Sequence, residues 1–383
     1  MANLLVLMLV TAATAVPWWL LRVPRELTTE PSSVAPPTIS VIVPARDEEA
    51  TLPALLASLA ASAGPVAEVV VVDDGSRDRT AAIGRAARAR VVPAGTPPAG
   101  WTGKAWACHT GASITTGDVL LFLDADTVLA TDALGGLLRL HAAHGGLISV
   151  QPHHRVVRCY EHLSAVFNAV ALLASGAFTG RPSARPMAFG PCLLTTRTDY
   201  QRVGGHATVR AEILDDVSLA VAYDDAGLPV TCALGGQAVT MRSYPGGLGQ
   251  LVSGWTKNIA SGAAACGLRA ALATVLWISA LHAVVVGTVL SLTGSSLAAG
   301  APLVWVAGWV GLALGLRGVL RHAGSFAWWT WAAFPLPLLF FDLVFARSAA
   351  LTVVRRSVLW RGRPVDLRRD GAPSPDGPSG GVA

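Results

Sequence analysis

The chain has 383 residues, of which 14% are charged and 52% hydrophobic, with 29 Lys+Arg against 24 Asp+Glu. That balance excludes a disordered, charge-dominated chain, and the length allows one sizeable α/β domain with further elements. Five cysteines, Cys108, Cys159, Cys192, Cys232 and Cys266, are scattered without a CxxC pair, which excludes a disulfide scaffold and a zinc-finger site.

In chain order, Ala2 to Leu21 carries no charge and is long enough to cross a bilayer once. Positive charge follows this run, at Arg22 and Arg25, and none precedes it. That pattern fits a retained anchor over residues 1–22 better than a cleaved signal peptide, and it places the residues beyond it in the cytoplasm. From 36 to 260 apolar runs alternate with helical patterns, predicting βα units on a mainly parallel sheet. Strands are expected at Ile39–Val43, Val66–Val72, Val91–Val92 and Val119–Leu123. Leu52, Leu55, Leu56 and Leu59 share one helix face, and Thr80–Arg88 and Lys104–Ala112 also read as helices.

The remainder is apolar. Residues 265–354 form the expected membrane region. The run Ala270–Leu316 has no formal charge and room for two spans, 270–293 and 298–316, joined at Gly294-Ser295-Ser296. A third apolar stretch, Ser325–Phe341, holds Pro335 and Pro337, which predicts a broken, re-entrant segment over 325–354 rather than a third span. Ala165–Phe178 is too short to span and reads either as a core helix or as an interfacial element. A basic segment at 355–370 completes a cluster of seven arginines from Arg347 to Arg369. Beside apolar helices, such a cluster suits an anionic membrane surface and not nucleic acid. The Pro/Gly/Ser-rich tail, 371–383, is expected to be disordered.

Two consecutive buried strands end in acids: Asp73-Asp74-Gly75-Ser76 and Asp124-Ala125-Asp126. In open α/β sheets ligands bind outside the carboxyl ends of the strands. Asp124 and Asp126, one residue apart, can hold Mg²⁺ or Mn²⁺ together with phosphate oxygens, although a lone DxD is equally a solvated strand end. Beside a nucleotide, Asp73 can accept a base N–H and Asp74 can orient a ribose. Lys104 follows a glycine-containing loop into a helix, and a point charge beside backbone N–H groups suits a pyrophosphate. It is one of only two lysines, the other being Lys257.

ISVIVPARDEE (39–49), VVVVDDGS (69–76), GWTGKAWA (100–107) and LFLDADT (121–127), in this order, resemble the opening motifs of family 2 glycosyltransferases. The likeness continues through FGPCLLTTR (189–197), Gly204-Gly205-His206, ILDDVSLA (213–220), GWTKN (254–258) and VLWRGR (358–363). It implies a GT-A fold, an α/β Rossmann-like and mainly parallel sheet, here with N-terminal and C-terminal transmembrane helices. It further implies transfer of a sugar, with inversion, from a nucleotide-diphosphate donor such as UDP-glucose to a membrane lipid. The run 147–168 resembles the subgroup whose acceptor is a carotenoid acid. Polyprenyl phosphate, hopanoid, diacylglycerol and ceramide-like acceptors are the alternatives, and a non-catalytic nucleotide-binding carrier or scaffold is the rival of another class.

Residue by residue, the resemblance puts Pro44, Ala45, Glu48 and Asp73 at the base and ribose, and Lys104 near the uracil and diphosphate. Asp124 and Asp126 become the metal pair, with Asp126 implied as the direct ligand of the two. Asp215 and Asp216 become the acidic motif that supplies the base, with the choice between them open. Trp255, Lys257, Arg361 and Arg363 complete the donor side. One departure stands out: where membrane members carry QxxRW, this chain has Gln250 one residue out of register and Gly254 before Trp255. Lys257 is the candidate to supply the missing charge. The departure and the small number of spans argue against a processive polysaccharide synthase.

Overall fold

The computed structural model describes residues 2–28, 37–62, 64–180, 186–212, 214–262, 266–294, 302–355, 357–360 and 363–366. Helix α1 (Ala2–Leu20) precedes a βα series: β1 (Ile39–Ala45), α2 (Leu52–Ala60), β2 (Val66–Asp73), α3 (Thr80–Ala86), β3 (Arg90–Pro93), α4 (Gly103–Ile114) and β4 (Val119–Leu123). Next come β5 (Thr127–Leu129), α5 (Ala133–His144), β6 (Leu147–Gln151) and β7 (His153–His154). A 3-10 turn, Cys159–Ser164, leads into α6 (Ala165–Ala174), β8 (Cys192–Thr196), α7 (Arg197–Arg202), α8 (Gly205–Thr208) and α9 (Asp215–Asp225). Strands β9 (Val230–Leu234) and β10 (Val239–Met241) precede α10 (Leu248–Gly262), α11 (Leu268–Leu292) and α12 (Pro302–Ala323). The chain ends in α13 (Trp329–Ala332), α14 (Pro335–Arg355) and a hairpin, β11 (Ser357–Trp360) with β12 (Arg363–Asp366).

Seven strands form one sheet in the order β3-β2-β1-β4-β8-β6-β9. All neighbours are parallel except β8, which is antiparallel to β4 and β6. Alternation sends Val41 and Val43 to one face, against Leu52 and Leu55 of α2 and Leu134 and Leu137 of α5. Ile42 points to the other, with Ala107 and Cys108 of α4 and Leu219 and Tyr223 of α9. Because β1 lies between β2 and β4, the crossovers diverge from it. This is the switch point at which an open α/β sheet leaves a crevice. A small sheet, β5-β10-β7, stands beside the end of β4.

Of the described helices, α11 and α12 are long and apolar enough to cross a membrane. The apolar part of α1 that is described in full, Met8–Leu20, is shorter. Helix α1 packs on a glycine stripe of α12: Gly308 meets Val10, Gly311 meets Thr14, Gly315 meets Pro17 and Gly318 meets Trp18. The matching order shows that the two helices run parallel, and small residues let their backbones approach. Helix α6 buries Val166, Phe167, Leu172 and Leu173 in the same apolar cluster as α1, α11, α12 and α14. This stretch is thus packed against the apolar helices rather than against the sheet.

Pro335 and Pro337 do not interrupt the third apolar helix. Both sit in the first turn of α14, where a missing N–H costs nothing. The interruption falls before Pro335, and the helix continues past Phe341 to Arg355. Phe334 packs on Trp309 within α12 (4.7 Å between ring centroids), while Ser348 Oγ donates to Thr256 O of α10 at 2.8 Å. The join between the two spans at 295–301 and the tail lie outside the described residues.

The α1–α12 contact gives a test of packing. Gly311→Leu should destabilise the protein by about 1–3 kcal/mol through overpacking, seen as a lower thermal midpoint in detergent. Gly294→Leu, with nothing within 4 Å of an added Cβ, is not a control because its φ is +70°; Leu314→Ile, on the exposed face of α12, should leave the midpoint unchanged.

Candidate active site

A cleft of about 500 Å³ opens at the switch point. The end of β1 supplies Pro44, Ala45 and Arg46, with Glu48 beyond; the β4 end supplies Asp124, Ala125 and Asp126. Gly103, Lys104 and Ala107 come from α4, and Gln250, Ser253, Gly254, Lys257 and Asn258 from α10. The wall between them is Met241, Ser243 and Tyr244. A smaller recess, lined by Cys108, His206, Asp215 and Asp216, shares Pro44, Lys104 and Asp124 with the main cleft.

Of the two acids ending β2, Asp74 lines the cleft and Asp73 does not. Asp73 Oδ1 accepts from Ser76 N–H at 2.9 Å and fixes the turn. Asp74 Oδ2 meets Arg46 NH1 at 3.3 Å, and a Cβ on Gly103 would collide with that carboxylate. Arg46 was not singled out by sequence beyond its place in the first motif. Its side chain is mostly buried, and its Nε has no hydrogen-bond partner among the described residues.

Helix α4 begins at a fixed point. Thr102 Oγ1 accepts from Ala105 N–H, and Thr102 N–H donates to Arg210 O at 2.8 Å. From the first turn Lys104 reaches Asp124, with Nζ 2.7 Å from Oδ1. Burial opposes its charge, but Asp124 and Asp215 outweigh burial and hold the ammonium above the usual lysine range.

Asp215 and Asp216 open α9, where the helix N-terminus favours negative charge. Asp215 is buried; Asp216 is half-buried, and its Oδ2 lies over Gly190. Burial first, and the neighbouring Asp215 second, push the Asp216 carboxyl well above the usual range. Consecutive left-handed glycines, Gly204 (φ 76°) and Gly205 (φ 54°), wrap the chain onto the Tyr200 ring and deliver His206 beside Asp215. The Tyr200 hydroxyl accepts the His206 backbone N–H at 3.0 Å and lies 2.8 Å from His206 Nδ1, while His206 Nε2 faces Asp215 Oδ2 at 4.0 Å. Burial, then Lys104, pushes His206 down to about 3, so the imidazole is neutral.

Helix α10 divides its residues. Gly254 and Lys257 line the cleft. Trp255 does not: it is buried and stacks on Phe167 at 4.8 Å, inside the apolar cluster. A Cβ at 254 would collide with the Tyr244 ring, so this position has no room for the arginine expected from the QxxRW pattern. His153 and His154 lie on β7, outside the cleft, where His154 O accepts from Ser325 N–H. Arg361 lies outside the described residues, and of Arg363 only its place in β12 is described.

The donor set fits one kind of metal. Among the described residues no group of three or more His, Cys, Asp or Glu could form a closed cage. Two carboxylates, Asp124 and Asp126, on an open cleft suit Mg²⁺ or Mn²⁺, which completes its shell with phosphate and water oxygens.

The family model of glycosyl transferase family 2 matches residues 40–163. The 4,4'-diaponeurosporenoate glycosyltransferase of Staphylococcus haemolyticus is 38% identical over 267 residues, 68% of this chain and 69% of that protein. Its namesake from Staphylococcus aureus (strain MRSA252) is 33% identical over 338 residues, covering 87% and 89%. The chain is a family 2 glycosyltransferase. The fold agrees: a mannosyltransferase of Pyrobaculum calidifontis, in complex with GDP-Man and Mn²⁺, superposes with a TM-score of 0.53 at 19% identity, over 90% of this chain and 99% of that one. The enzyme therefore has the GT-A architecture expected from its motifs.

Proposed function

We propose that the enzyme transfers a sugar, with inversion, from a nucleoside-diphosphate donor, UDP-glucose, to a lipid acceptor in the membrane, a carotenoid acid. The observation that carries this reading is the double face of α10. One side lines the cleft with Gly254 and Lys257, the other seats Trp255 in the apolar cluster, and the helix leads into α11. The relatives named for a carotenoid acid cover most of the chain, and the structural neighbour holds a nucleotide-sugar with Mn²⁺.

In this reading Pro44, Ala45, Arg46, Glu48 and Asp74 hold the nucleoside. Lys104 and Lys257 face the diphosphate, whose leaving charge they stabilise. Asp124 and Asp126 would hold Mg²⁺ or Mn²⁺, which supplies Lewis-acid stabilisation of the same charge. Asp216 is the base. It is the less buried acid of the pair, and its raised pKa suits a group that must both take and release a proton. Asp215 faces His206 Nε2 and lies within the field of Lys104. Attack opposite the leaving diphosphate inverts the anomeric carbon. If the acceptor is a carboxylate it arrives ionised, and Asp216 has less to do.

This reading puts the catalytic domain on the cytoplasmic side. Parallel packing of α1 and α12 brings Arg22, Arg25 and Arg321 to one end of the bundle, as the positive-inside tendency requires. A cysteine introduced at Asp370 should react with an impermeant thiol reagent only in opened cells; reaction in intact cells would make α14 a further span and remove the segment around Arg361 from the active site.

Membranes holding the enzyme should pass label from UDP-[¹⁴C]glucose into the organic phase. EDTA should stop this and Mn²⁺ restore it, and Asp126→Ala should abolish it while a cooperative thermal transition shows that the variant is folded. Full transfer in chelator would remove the metal from the reading.

With a hydroxyl acceptor, Asp216→Asn should lower the rate on the order of 10²-fold or more. The wild-type rate should fall with acid as the pair regains a proton, because the raised Asp216 accepts it first. Asp215→Asn removes the neighbouring charge that raises Asp216, so the acid limb of its residual activity should move to lower pH. A limb that stays in place in Asp215→Asn would assign the titration elsewhere. An Asp216→Asn enzyme that loses transfer to alcohols but keeps transfer to a carotenoid carboxylate would identify the acid as acceptor.

A further inference from the structure

The ion pair between Lys104 and Asp124 sits on one of the two carboxylates that the proposed reading gives to the metal. Both ends are anchored. Lys104 stands in the first turn of α4, fixed by the Thr102 cap and by Thr102 N–H on Arg210 O at 2.8 Å. Asp124 is held by its own N–H on Pro191 O at 2.9 Å, and its carbonyl accepts both the N–H and the hydroxyl of Thr127. The movable part is the lysine stem, whose Nζ lies 2.7 Å from Asp124 Oδ1. An ammonium at that distance occupies a carboxylate oxygen that a hard cation would take as ligand.

We propose that Lys104 and the divalent ion compete for Asp124, so that the ion enters together with the nucleoside diphosphate and not before it. The inference rests on the nucleotide-sugar reading and deepens it. A bare dication approaching Asp124 meets a like charge already in contact with the ligand. A diphosphate brings the negative charge that Lys104 can take instead, and it brings oxygens for the ion's open positions. Release of Asp124 and arrival of the diphosphate are then one event. By linkage, the diphosphate tightens Mn²⁺ by the same factor as Mn²⁺ tightens the diphosphate. Lys104 sets the size of that factor. Free metal in the cell then does not load the cleft, and hydrolysis-competent metal is present only with donor.

The test measures Mn²⁺ binding to the detergent-solubilised full chain by electron paramagnetic resonance, alone and with UDP or GDP. Wild type should bind Mn²⁺ weakly alone and at least about ten-fold more tightly with one of the nucleotides. Lys104→Met should bind Mn²⁺ alone on the order of ten-fold more tightly than wild type, and the nucleotide should add little. Lys104→Arg, which keeps the charge, should stay weak alone. Asp124→Asn should bind no Mn²⁺ in this range and marks the site. Thermal midpoints of the variants within a few degrees of wild type establish that they are folded; Lys104→Gln replaces Lys104→Met should the latter fail that check. Unchanged Mn²⁺ affinity in the folded neutral variant overturns the competition while leaving the donor reading intact. Absence of nucleotide binding to wild type at any Mn²⁺ concentration overturns the donor reading, and the competition with it.

Discussion

Helix α10 must satisfy two solvents at once, and the rest of the molecule is arranged around that constraint. Its cleft side is polar, with Gln250, Ser253, Lys257 and Asn258. Its other side buries Leu251 and Trp255 among the residues of α1, α6, α11, α12 and α14. The loop that delivers α10 is tied down accordingly. Tyr160 donates to Tyr244 O at 2.6 Å and accepts from Gly247 N–H, while Glu161 and Arg242 form a mostly buried pair at 2.6 Å. A buried ion pair of this kind is weak evidence for net stability but strongly resists loss of one partner. Moving α10 would open both the cleft and the apolar cluster.

The cleft itself concentrates charge of one sign. Asp124, Asp126, Asp215 and Asp216 come from two different helix and strand ends. Such a set repels itself at low dielectric, and the described cations answering it are few. Lys104 contacts Asp124 and acts on Asp215, and the neutral His206 contributes only a dipole. Burial first, and this crowding of like charge second, raise the Asp216 carboxyl. An active site left short of positive charge is suited to receive more of it with its substrate, which connects the acid pair, the lysine and the metal-binding chemistry into one electrostatic problem.

Much of this was legible in the sequence, because strands and helices in the soluble part follow local periodicity. Val66–Val72 and Val119–Leu123 were read within a residue of β2 and β4, since runs of β-branched and leucine residues buried on both faces have few alternatives. The likeness of motifs, taken together, gave the family. What escaped depends on tertiary direction. Asp73 and Asp74 are indistinguishable in sequence, and only the Ser76 turn shows that Asp73 is spent on the backbone. Trp255 keeps a motif position but turns into the apolar cluster, because consecutive helix residues cannot all face the cleft. Pro335 and Pro337 were read as breakers. A proline is silent only in the first helical turn, and locating that turn required knowing that Phe334 seats against Trp309.

Gly254 shows how a departure from a motif can be forced from outside it. The Tyr244 ring fills the space that a side chain at 254 would need. Tyr244 is in turn fixed through its carbonyl by Tyr160, so restoring an arginine at 254 would require the whole loop before α10 to move. Three residues later on the same face, Lys257 brings a positive charge to the cleft. The two cations are not equivalent. A guanidinium offers a planar fork that grips two oxygens at once, whereas an ammonium is a compact point charge on a flexible stem. In the proposed reading, a point charge suffices to steady a departing diphosphate, and it holds no fixed grip on a growing product. One sugar placed on one lipid asks for nothing more, and the geometry around Tyr244 leaves room for nothing more.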